Sequence, residues 1–200
     1  MHEIGRISLL QVQRSSLKLG KRLETYYDPT PLLSVGSLRL TPRGVFGIGE
    51  DGSEMMDLHH IDHPSSHNVR AVNGVSIGFT SHYQSMREAY GEHLVNGIAG
   101  ENMLIEADTI MTLNDLGSRL AIALQKTGQF AYLTGLKVAA PCIEFSQFAA
   151  NHGTSLPTGK LKATLQFLND GRRGFYAAIE DAPNELIVHT GDKVFVVNDA

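Results

Sequence analysis

Apolar and polar residues alternate along this chain in short runs, the period expected of strands with one face in a core. Asn73 to Phe79 carries it in Val75, Ile77 and Phe79; a turn at Leu116-Gly117-Ser118-Arg119 leads into the apolar Leu120 to Leu124, and Ile4 to Val12, Met103 to Ala107 and Phe130 to Ala139 read as strands. So do Gly174 to Glu180, Glu185 to His189 and Lys193 to Val197, with Thr190-Gly191-Asp192 reading as a hairpin turn. Leu32 to Leu40 reads as a strand bulged at Gly36. The period changes once clearly: Phe79, Tyr83, Met86 and Tyr90 recur at helical spacing, with Thr80 or Ser81 as cap and Gly91 as stop. Ile143 to Ala150 and Leu156 to Asn169 read as further helices, with Pro141 suited to a first turn. Ser15 to Pro31, carrying Lys18, Lys21 and Arg22, is a polar excursion, and Glu50 to Asn68 is a long polar loop. Many short strands with a few helices predict a mainly β, barrel-like single domain over residues 1–200.

Composition narrows the function classes. The chain of 200 residues is 42% hydrophobic and 19% charged, with a formal charge of −4. That charge gives no general footprint for nucleic acid or an anionic membrane. The apolar runs fall short of a bilayer span and the start lacks a signal-peptide core, so a cytoplasmic protein is expected. The single cysteine rules out an internal disulfide and any multi-cysteine metal site within one chain.

Four constellations carry candidate chemistry. Gly97-Ile98-Ala99-Gly100-Glu101-Asn102 pairs two glycines with a carboxylate and an amide ahead of a strand, a turn that could hold polar groups rigidly toward a ligand such as a pterin ring. The bland alternative is a turn whose Asn satisfies backbone groups. Pro141-Cys142 opens a helix, where the N-terminal dipole favours thiolate; the alternative is a small buried hydrophobe. His59, His60, His63, His67 and His82, with Asp57 and Asp62, crowd one region, as a metal or phosphate site with Arg70 or as a solvated loop. Arg172-Arg173, just past a helix end, is best explained by the helix dipole. No Walker A, nucleophile elbow or dinucleotide fingerprint is present.

Together these segments resemble the MOSC domain, the family named for the C-terminal part of molybdenum-cofactor sulfurases. The likeness rests on Gly97-Ile98-Ala99-Gly100-Glu101-Asn102, Pro141-Cys142, Gly171-Arg172-Arg173-Gly174-Phe175-Tyr176 and Gly191-Asp192-Lys193-Val194, and is clearest over residues 32–200. It implies a MOSC-like β-barrel that binds molybdenum cofactor (molybdopterin), with Cys142 as the metal ligand and catalytic thiolate or as a sulfur carrier. Gly100, Glu101, Asn102, Asp57, His59 and Arg70 would line the cofactor site. If catalytic, it would be a molybdenum-dependent oxidoreductase reducing small N-hydroxylated compounds, supplied by a separate electron-donor protein. The alternatives are a non-catalytic sulfur or cofactor carrier, and a protein binding a divalent metal through His59, His60 and His63.

Overall fold

The computed structural model describes residues 1–21, 24–68, 70–151 and 156–197; Arg22 lies outside them. The chain opens with β1 (His2–Gln13), then a small hairpin of β2 (Lys18–Leu19) and β3 (Tyr26–Tyr27), then β4 (Leu32–Ser34). A meander of β5 (Ser37–Thr41), β6 (Gly44–Ile48) and β7 (Glu54–Met56) follows. β8 (Val75–Phe79) runs into α1 (Thr80–Tyr90), and the chain returns as β9 (Met103–Glu106). After α2 (Leu113–Leu116) come β10 (Arg119–Ala123) and β11 (Phe130–Val138), then α3 (Ile143–Ala149) and α4 (Thr158–Leu168). β12 (Phe175–Ile179), β13 (Leu186–His189) and β14 (Lys193–Val196) complete it.

Among the described residues, seven strands close into a barrel in the order β14-β10-β11-β12-β8-β9-β1, and β1 pairs with β14 to seal it. The mainly β, barrel expectation therefore holds. All the barrel pairings are antiparallel except β8–β9. A parallel pair needs a crossover, and α1 with the segment behind it supplies one. Strand alternation then sorts the side chains. Val75, Ile77, Phe79, Met103, Ile105, Phe175 and Ala177 fill the barrel. Leu104 faces outward into a second cluster with Tyr83, Met86, Leu94, Phe145 and Leu168. Helices α1, α3 and α4 thus roof one outer side of the barrel.

Four expectations are corrected. Leu32 to Leu40 is two strands: β4 pairs with β1, whereas β5 joins the separate sheet β13-β5-β6-β7. Thr190-Gly191-Asp192 is no hairpin, because β13 pairs with β5 while β14 pairs with β1 and β10. The turn instead passes the chain between sheets, and buried Asp192 pins it by accepting from the amides of Gln125 (3.0 Å) and His189 (2.8 Å). Neither Thr80 nor Ser81 caps α1; the N-cap is Phe79, and both hydroxyls bond the segment after β9, at Ala107 and Thr109. Pro141 stands one residue before the N-cap of α3, which is Cys142. The short α2 went unread, although its Thr112 and Asp115 form a capping box. No helix among the described residues is long and apolar enough to cross a membrane.

His82 does not join the other histidines. Its ring is fully buried on α1 against Phe79 and Phe175, with Nε2 2.9 Å from the Met111 carbonyl. Burial lowers its pKa to about 4. The unfolded chain binds that proton near pH 6.5, so the neutral ring stabilises the fold above 6.5 and loses this contribution as pH falls toward 4. Urea unfolding from pH 7 to 4 should show the wild type losing up to about 3 kcal/mol relative to a His82→Asn variant. Parallel pH profiles for the two proteins would contradict this.

Candidate functional site

Residues on the outer face of β1, β8 and β12 are polar yet enclosed. Gln11 and Gln13 on β1 and Ser76 on β8 are buried, and Tyr176 on β12 is half-buried. They sit where a solvated sheet face would carry exposed side chains. The 97–102 turn, the 57–68 segment and the β2–β3 hairpin cover them. Together they enclose a cavity of about 400 Å³ lined by Gln13, Lys18, Tyr27, His59, His67, Ser76, Gly100, Cys142, Arg173 and Tyr176, among others.

Beside three backbone bonds, Ile98 to Val95, Gly100 to Gly97 and Gln11 to Asn102, the turn is held by side chains from elsewhere. Gly97 and Gly100 both take positive φ, +84° and +94°, and a Cβ at Gly97 would come within 2.4 Å of Leu9. Gln11 Nε2 donates to the carbonyls of Gly97 (2.7 Å) and Glu101 (2.8 Å). Tyr27 donates to the Ile98 carbonyl at 2.6 Å, and Arg173 Nη2 to the Ala99 carbonyl at 2.8 Å. The Ala99 amide donates to Tyr83, whose hydroxyl in turn donates to Glu101 Oε2 at 2.6 Å.

Glu101 and Asn102 are both 1% exposed, and neither lines the cavity. Burial pushes the Glu101 carboxyl up, against the opposing pull of Arg173 and Tyr83. Asn102 is saturated within the protein. Its Oδ1 accepts from the amide and hydroxyl of Ser76 (2.9 and 3.0 Å), and its Nδ2 donates to the Gln11 carbonyl (3.3 Å) and Asp57 Oδ2 (2.9 Å). Both residues therefore build the wall from behind.

Asp57 passes that order forward. It is fully buried. Oδ2 accepts from the Gln13 amide (2.7 Å) as well as Asn102, and Oδ1 accepts from the His59 amide (2.8 Å) and lies 3.0 Å from His59 Nδ1. Burial alone would raise its pKa, but His59 and the backbone amides outweigh that and hold it below the ordinary value. The His59 ring lines the cavity beside Tyr176, 5.7 Å between centroids.

Cys142 lines the same cavity, half-buried, and its Sγ accepts from the Phe145 amide at 3.4 Å. Two cations stand with it. Lys18 reaches Glu144 at 3.1 Å; burial works against its charge, but Cys142 and Glu144 together raise its pKa. Arg173 lies over the Phe145 ring, 5.4 Å to the centroid. Burial opposes its charge too, and Tyr176, Tyr27, Glu101 and Cys142 more than compensate, keeping it cationic.

The sequence-level candidates thus divide. Cys142, His59 and Gly100 meet at the cavity, and Asp57 acts on it through His59. Arg70 is exposed and lines no part of it. His60 is 2% exposed against the Phe46 ring, and the half-buried His63 accepts from the Ser65 amide. Among the described residues no three His, Cys, Asp or Glu side chains converge on a metal position. The helix-dipole reading fits Arg172, which donates to the Phe167 carbonyl at the end of α4, but not Arg173. Sequence reasoning missed Lys18, Tyr27, Arg173 and Tyr176. Only Tyr176 carried a signal, a polar residue on the outward face of β12; Lys18 and Tyr27 lie on the short β2–β3 hairpin and Arg173 in the segment before β12.

No protein-family model matches this sequence, and no curated protein does. Solved structures are similar. The YUAD protein from Bacillus subtilis superposes with a TM-score of 0.57 at 16% identity, over 95% of this chain and 93% of that one. A second, described as a hypothetical protein, gives 0.51 at 13% identity, over 98% of this chain and 70% of its own. At these identities the likenesses show the fold.

Removing the Asn102 amide leaves Asp57, Ser76 and Gln11 with lost partners in a buried place. Asn102→Ala should cost about 3 kcal/mol, read as a fall in Tm of roughly 6–12 °C. Asn102→Asp should cost more, because it sets a second carboxylate against Asp57. Melting within about 1 °C of wild type for Asn102→Ala would show that the amide is dispensable.

Proposed function

We propose that the protein is a MOSC-like molybdenum-cofactor protein that binds the anionic pterin cofactor in the Cys142 cavity. The observation that carries this reading is the presence of a thiol and two cations, Lys18 and Arg173, on one cavity wall of small-molecule size. The donor set fits such a group. Cys142 offers a soft sulfur ligand for the metal, and Lys18 and Arg173 complement a phosphate. Gln13 and Ser76 would offer hydrogen bonds to the heterocycle.

When bound, the molybdenum centre would supply two-electron redox chemistry, for the reduction of an N-hydroxylated compound with electrons from a separate donor protein in the cytoplasm. The chain's own part is to bind, orient and enclose. Tyr176 and the β2–β3 hairpin that carries Tyr27 exclude water from one side. Arg173, fixed by its bond to the turn, holds an anion without reorganising.

Protein purified from cells supplied with molybdate should carry near-stoichiometric molybdenum by elemental mass spectrometry. Cys142→Ser should cut that content at least about tenfold while melting near wild type, since loss of a metal ligand commonly costs more than loss of its outer partners. Full molybdenum occupancy in Cys142→Ser, or none in the wild type, would overturn the proposal. Turnover of an N-hydroxylated compound with a chemical reductant then separates a catalyst from a carrier.

A further inference from the structure

We infer that His59 is the proton-transfer group of this cavity, held in a single tautomer by Asp57 and presenting Nε2 to whatever the cavity contains. This deepens the reading above and rests on it for the identity of the reacting partner, but its geometry belongs to the chain alone.

Asp57 has no freedom to serve another role. Three fixed donors already bind it, the Gln13 amide and Asn102 Nδ2 on Oδ2 and the His59 amide on Oδ1. These interactions hold the carboxylate ionised, with no hydrogen to give, so it faces the imidazole nitrogen 3.0 Å from Oδ1 as an acceptor. The hydrogen between them therefore lies on His59 Nδ1, and the neutral ring keeps its lone pair on Nε2. A buried carboxylate on Nδ1 with Nε2 turned to the reacting side is the arrangement that orients a general acid–base histidine. His59 is partly exposed, its side chain at 23% against 0% for Asp57, and that exposure opens onto the cavity.

The other groups around the ring do not duplicate this function. Tyr176 lies beside it, and Lys18, His67, Cys142 and Arg173 stand on other parts of the wall. Lys18 and Arg173 stay charged and are suited to binding rather than proton exchange. His67 is exposed and has no carboxylate behind it among the contacts described. The assignment also accounts for the Glu101-Asn102 turn. Asn102 orients Asp57, which orients His59, so Asn102 is a positioning residue two hydrogen bonds removed from the His59 ring.

The proton step is simple exchange. Reduction of an N-hydroxylated substrate consumes two protons as the oxygen leaves as water. The His59 imidazolium, paired with Asp57, gives one of them from Nε2 to that oxygen and is recharged from solvent. In the metal-free protein Nε2 takes the Cys142 thiol proton instead.

Nitrogen NMR of histidine-labelled, metal-free protein tests the tautomer. His59 should be protonated at Nδ1 when neutral; a ring protonated at Nε2 would overturn the inference. The pH profile of Cys142 alkylation by iodoacetamide tests the exchange, and the single cysteine makes the signal unambiguous. Wild type and His59→Gln should differ in alkylation rate at neutral pH by about threefold or more. Superimposable profiles would overturn the inference. Asp57→Asn should shift the ring toward the Nε2 tautomer; because it could unfold, His59→Gln, at a partly exposed position, is the deciding variant. Lack of molybdenum in the wild type would defeat the cofactor reading and leave both of these measurements intact.

Discussion

A six-residue turn, 97–102, must keep its backbone polar groups satisfied while sitting beneath three other elements. Buried carbonyls and amides without partners cost about 1–3 kcal/mol each. Backbone groups meet only part of this need, as in the Gln11 amide on the Asn102 carbonyl. Gln11, Tyr27, Tyr83 and Arg173 reach in from β1, β3, α1 and the segment before β12 to bond it. Each of those side chains is fixed in return. The cavity is therefore a by-product of satisfying this turn: Tyr27 and Arg173 form its wall because the turn holds them there.

The same constraint explains the separation of charge in the site. Glu101 and Asp57 are the buried carboxylates next to the site, and both lie behind the wall, each against a group that fronts it, Arg173 and His59. The cavity is left with cations, ring nitrogens, hydroxyls and one thiol. A carboxylate on the front would repel an anionic ligand and compete for Arg173. Placed behind, each supports its neighbour's charge or tautomer without meeting the ligand.

Much of the fold was legible in the sequence because it is written locally. Asn73 to Phe79 shows clean alternation and Met103 to Ala107 and Phe130 to Ala139 short apolar-rich runs, and their strands fall within a residue or two of the expected bounds. What failed was pairing. Nothing local in Leu32 to Leu40 says that Gly36 takes the chain from one sheet to another, or that Thr190-Gly191-Asp192 parts its flanking strands. Site legibility followed the same line. Cys142 and His59 stand out by residue type, whereas Glu101 and Asn102 look like ligand contacts until their partners, Tyr83, Ser76 and Asp57, come from far along the chain. Arg173 looks like a helix-end cation for the same reason.

The barrel's seam lies between β1 and β14, residues 2–6 against 193–196. Its closure joins the two most distant paired segments, so a chain emerging from the ribosome holds an open sheet until β14 is out. Arg173 and Tyr176 also arrive late, long after Gln13, Lys18 and Tyr27. Contacts this far apart in sequence close slowly, and an open sheet edge is exposed to other chains while it waits. The cavity and the seal of the barrel are thus finished together, and a nascent chain has neither.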